Sequence, residues 1–164
     1  MLEPIVINAS PLIFLARSQN IHLLQQLHRP VLIPQPVAQE IQARGQYDPT
    51  TRALAETEWL EVVPAPTIPN EILSWDLGKG ESSVLAMAWS KPDSMAMIDD
   101  LTGRRCAQAL NIRLIGTLGL VLLAKQKGAI THARTTLRTM REQGMYLSDV
   151  VIDAALKLVD ESWP

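Results

Sequence analysis

Met95-Ala96-Met97-Ile98-Asp99-Asp100 is a run of four apolar residues closed by two carboxylates, and the fold turns on how it is read. A short apolar run bounded by polar residues has the pattern of a buried strand. In an open α/β sheet, ligands bind just outside the carboxyl ends of the strands. Asp99 and Asp100 therefore fall where acids can hold a metal ion. An acidic pair after a strand also makes an ordinary turn or helix cap. The metal reading needs acids from other element ends aimed at the same place.

The 164 residues suit one domain, 1–164, large enough to bury a full core. Hydrophobic residues make up 47% and charged residues 20%, which excludes a disordered chain. The net charge of −2 provides no global basic field, so a nucleic-acid partner would need a local patch. A single cysteine, Cys106, excludes an internal disulfide or a cysteine metal cluster and suits a reducing cytoplasm. The start, Met1-Leu2-Glu3-Pro4, lacks the basic residues of a signal peptide. The most apolar stretch, 114–124, is well short of the ~20 residues that span a bilayer.

Ile5-Val6-Ile7 reads as the first strand, and Ser10 and Pro11 as the cap and first position of a helix. A second helix is expected over 21–27 and a second strand over 31–33. The helix after Pro34 and Pro36 buries Val37 and Ile41 and ends at Gly45. Helix 50–57, strand 60–63 and an extended proline-marked link through Pro64, Pro66 and Pro69 follow. Further on, helix 81–89, strand 95–98, helix 102–110, strand 113–115, helix 118–127 and helical patterns over 131–142 and 148–160 complete the chain. Strands alternating with helices predict a three-layer α/β/α domain around a mainly parallel sheet. Met87, Met95, Met97 and Trp89 are expected in the core.

Polar residues recur at element ends. Asn8 closes the first strand, Glu40 lies in the helix after the second, Glu81 opens a helix, and Asp99 and Asp100 close a later strand. Each has an ordinary explanation alone: Glu81 is favoured by the helix dipole, and Glu40 can be a solvated helix residue. Five motifs in order are more specific. Asn8-Ala9-Ser10-Pro11-Leu12-Ile13, Gly80-Glu81, Ile98-Asp99-Asp100 with Arg104-Arg105, Ile115-Gly116-Thr117-Leu118-Gly119 and Leu147-Ser148-Asp149 together resemble a PIN domain, over nearly the whole chain.

That resemblance implies a metal-dependent ribonuclease of the VapC-like toxin kind, using Mg²⁺ or Mn²⁺ to cut RNA. Its catalytic acids would be Glu40, Glu81, Asp99 and Asp100. The metal would be held by Asn8, Glu40, Glu81 and Asp100, with Asp99 as the other candidate of its pair. Ser10 would hold the first-strand ligand in place, and Ser10, Arg104 and Arg105 would lie at the substrate, with Lys79 near them. The carboxylates are expected to converge within reach of one ion beside Asn8. Two carboxylates ~5 Å apart repel by roughly 3 kcal/mol at an effective dielectric near 20, so a cluster of three calls for a cation, and oxygen donors select hard ions. Such toxins are held by a small antitoxin protein and often dimerise; Val150, Val151 and Trp163 are candidates for an apolar contact.

One departure matters. The usual first acid of a PIN domain is an Asp, and this chain has Asn8. An amide oxygen can ligate a hard cation but brings no charge and cannot act as a base. The alternative is therefore a catalytically inactive PIN-like module that binds RNA or a protein. Other classes fit less well. Gly78-Lys79-Gly80-Glu81-Ser82-Ser83 lacks the order of a phosphate loop. His22, His28 and His132 have no zinc-site spacing.

Overall fold

The computed structural model describes residues 2–164; Met1, part of the expected domain and of the start without a basic run, lies outside the described residues. The five strands are β1 (Ile5–Ile7), β2 (Val31–Pro34), β3 (Leu60–Val63), β4 (Met95–Met97) and β5 (Arg113–Ile115). They form one sheet in the order β3-β2-β1-β4-β5, with every neighbouring pair parallel. Helices α1 (Ala9–Arg17), α2 (Gln35–Gln42), α3 (Pro49–Glu56), α4 (Asn70–Leu73), α5 (Lys79–Ser90), α6 (Leu101–Ala109), α7 (Thr117–Gln126), α8 (Ala133–Glu142) and α9 (Asp149–Lys157) connect and cover it, with a 3₁₀ helix at Ile21–Leu27. This is the three-layer α/β/α arrangement.

Parallel strands covered on both faces read as unbroken apolar runs. All three residues of β1 are fully buried, as are Ala96 and Met97 of β4. Helix α5 is the central helix: Ser82 through Ala88 are all buried, and it packs against β1, β2 and β4 with α2, α4 and α6 beside it. The chain runs from β1 outward to β2 and β3, then returns to the other side of β1 for β4 and β5. The sheet therefore reverses direction between β1 and β4, where open α/β sheets form their ligand crevice. The register pairs Ile7 with Met97, and the Asn8 N–H donates to Met97 O at 3.1 Å, so Asn8 and the acidic pair leave the sheet side by side.

The differences from the sequence reading are local. Asn8, not Ser10, is the N-cap of α1: its backbone is extended (φ −83°, ψ 169°) and the helix begins at Ala9. Pro11 still falls within the first turn, where a missing N–H costs nothing. The link at 64–69 is followed by the short α4, whose Ile72 is buried. Trp89 lies 40% exposed rather than in the core, because α5 ends one residue later, beyond the edge of its packed face. Among the described residues no helix is long and apolar enough to cross a membrane.

Candidate functional site

Glu81 stands in the first turn of α5, where a negative charge is favoured by the helix dipole. Its surroundings work against that preference. Burial, the charge of Asp100, direct contact with the Asp100 carboxyl and the charge of Glu40, in that order, push its pKa up to about 7 from 4.5. Glu81 Oε1 is buried and receives no hydrogen bond. A buried carboxylate oxygen without a donor is costly unless something positive or protic serves it.

Two helices, α6 and α2, place the groups around Glu81. Asp100 caps α6, its Oδ2 accepting the Gly103 N–H at 3.0 Å, which fixes the carboxylate while leaving the residue exposed. Glu40 projects from α2, which packs closely on the start of α5 because Gly80 has no side chain. A Cβ there would stand 3.3 Å from Val37 Cγ2 and 3.4 Å from Glu40 Oε2. On the other side, Gly103 leaves room for Glu81 itself. In the sequence Gly80 stands out only as part of the Gly80-Glu81 motif and Gly103 not at all, since a close approach between two helices leaves no mark in either one.

Asp99 does something different from Asp100. Its Oδ1 accepts the backbone N–H of Thr117 at 2.8 Å and its Oδ2 the Thr117 hydroxyl at 2.6 Å, and Thr117 is fully buried. Asp99 thus ties the end of β4 to the first turn of α7. Thr117 lies inside the quoted motif Ile115–Gly119, but nothing in that motif alone connects it to Asp99, eighteen residues earlier.

The expected convergence is partial. Asp100 and Glu40 are close enough to Glu81 to raise its pKa. Among the described residues, however, no three acids, histidines or cysteines are gathered tightly enough to hold an ion as they stand. Glu40, on α2, is the exposed member of the three besides Asp100. Asn8 is buried at 9% exposure and makes no side-chain cap to α1, so its amide is not committed to the helix it precedes. The donor set fits a hard divalent cation in kind, being all oxygen, with one buried oxygen lacking a partner.

Of the basic residues, Arg104 donates through Nη1 to Ile98 O at 3.0 Å, and Arg105 is exposed. Lys79 is exposed at the start of α5. A groove of about 800 Å³ borders Asp99 and Asp100 and includes Ser10, Arg104 and Tyr146. Leu101, Tyr146, Val150 and Val151 are exposed there or nearby. Trp163 is instead half-buried, with the Arg138 and Arg141 guanidinium groups 5.5 and 5.6 Å from its ring centre. Cys106 is buried, and burial, then the charge of Glu81, raises its thiol pKa, so it is an unreactive core residue.

No curated protein matches the chain. A family profile described as the PIN domain matches residues 4–161, from just before β1 to beyond α9. Strand order, the acids at the reversal point and this match agree, and the chain belongs to the PIN-domain family.

Proposed function

We propose that this PIN domain is a divalent-metal-dependent ribonuclease of the VapC-like toxin kind, working at Glu81, Asp100, Glu40 and Asn8. The observation that carries the reading is the half-buried Glu81 carboxyl, whose buried Oε1 has no hydrogen-bond donor, pressed against Asp100 with Glu40 nearby. Holding the Glu81 carboxyl against Asp100 costs the fold stability, and such a perturbed acid at the end of the sheet supports a functional role. Glu81, Asp100 and Glu40 would hold Mg²⁺ or Mn²⁺, with Asn8 adding an uncharged oxygen. When bound, such an ion supplies an acidified water and a positive charge to offset that developing on the RNA phosphate.

The chain's own residues have separate roles. Asp100, steadied by the Gly103 N–H, is the ligand of the acidic pair. Asp99, with both oxygens taken by Thr117, positions α7 and the groove. Arg105, Arg104 and Lys79 would meet phosphates, and Ser10 lies where the groove meets the acids. A small antitoxin protein and a second copy of the chain are the proposed partners, supported by the exposed apolar side chains around that groove.

A catalytically inactive module is the second reading, favoured by the missing charge at Asn8. Cleavage of a fluorogenic single-stranded RNA separates them. Cutting should require Mn²⁺ or Mg²⁺, stop with EDTA, and fall by about 100-fold or more in Glu81→Gln. Cleavage that survives EDTA would refute the metal-dependent reading. RNA binding without any cleavage would favour the inactive module.

A further inference from the structure

Gly103 stands in the first turn of α6, in ordinary helical backbone where glycine weakens a helix relative to alanine. No unusual torsion requires it. A Cβ at this position would lie 2.1 Å from Glu81 Oε1, 2.9 Å from Glu81 Cδ and 3.1 Å from Ile98 Cγ2. The Glu81 carboxylate thus occupies the volume that any other side chain at 103 would fill. Because Cδ as well as Oε1 is too close, turning the carboxylate about its last bond does not clear the clash, and the whole side chain has to swing. The helix itself can stay, since the atoms met first belong to the end of a flexible side chain.

We propose that Gly103 is a positioning residue, its missing side chain seating the Glu81 carboxylate beside Asp100 and so setting the geometry with which the acids take a divalent cation. The inference rests on the reading of Glu81 as a ligand, but it concerns a different residue and a different measurement. The same glycine also donates its N–H to Asp100, so one residue holds both carboxylates: one by a hydrogen bond, the other by leaving space.

The test uses four proteins: wild type, Gly103→Ala, Glu81→Asp and the double variant. Mn²⁺ binding is followed by the electron paramagnetic resonance of the free ion, and thermal melting is measured in EDTA. Gly103→Ala should melt cooperatively yet bind Mn²⁺ at least tenfold more weakly. Glu81→Asp is shorter by one methylene and leaves the seat, so adding Gly103→Ala to it should cost less than threefold further. This non-additivity is the signature of two residues in contact. Wild-type affinity in Gly103→Ala overturns the proposal, as does an equal loss in both backgrounds, which would indicate a general effect on α6. Should wild type take up no Mn²⁺, the ligand reading fails and the melting shifts alone decide: non-additive shifts support the seat, additive ones overturn it.

Discussion

Replacing Glu81 by Gln tests the electrostatics of the site without any assumption about what it binds. The substitution keeps the shape of the side chain and removes its titration. With a folded-state pKa near 7 and an ordinary value of 4.5, the native protein holds a proton on Glu81 that the unfolded chain has already released between those two pH values. The raised pKa therefore leaves wild type unpenalised below about pH 4.5, and stability is lost as pH rises toward 7. The full shift corresponds to roughly 3 kcal/mol. Since the side chain is only half-buried, solvent screening reduces this to about 1–2 kcal/mol, or roughly 2–8 °C in melting temperature for a chain of this size. Melting curves in EDTA at pH 4.5, 6 and 8 should show wild type falling by that amount relative to Glu81→Gln. The carboxylates with lowered pKa, such as Asp48, which burial raises but Arg17 and the Thr50 N–H lower further, act at more acid pH and in both proteins alike. Parallel curves for the two proteins would refute the crowding of Glu81 by burial and by Asp100.

Asn8→Asp adds a charge where the sheet reverses; it should lower the melting temperature in EDTA and tighten Mn²⁺ binding. Calorimetry that finds both unchanged would make Asn8 a turn residue only. Thr117→Val removes the hydroxyl that donates to Asp99 from a fully buried position. The lost charge-assisted bond should cost about 1.5–3 kcal/mol in urea unfolding, and a cost near zero would mean that Asp99 does not anchor α7.

Much of the fold was legible because its signals are local. Strands β1 and β4 are apolar runs bounded by polar residues, and Pro34 and Pro36 mark a helix start that the chain adopts. The cap of α1 is ambiguous in the sequence because Ser10 and Asn8 both suit a cap; in the fold the helix begins at Ala9, directly after Asn8 leaves β1. At the site, the acids themselves stood out as polar residues at element ends. Their division of labour did not. That Asp99 serves Thr117 while Asp100 faces Glu81 depends on how α6 and α7 pack. The seats at Gly80 and Gly103 are contacts between distant segments that appear in the sequence only as glycines.

Glu81 and Asp100, helped by Glu40 and Asn8, are proposed to form a divalent-cation site. Isothermal titration of wild type with Mn²⁺ at pH 7.5, alongside Glu81→Gln and Asp100→Asn, decides whether they do. Wild type should take up Mn²⁺ saturably, with at least about tenfold weaker binding in each variant. Equal Mn²⁺ affinity in all three proteins, or none in wild type, would contradict it.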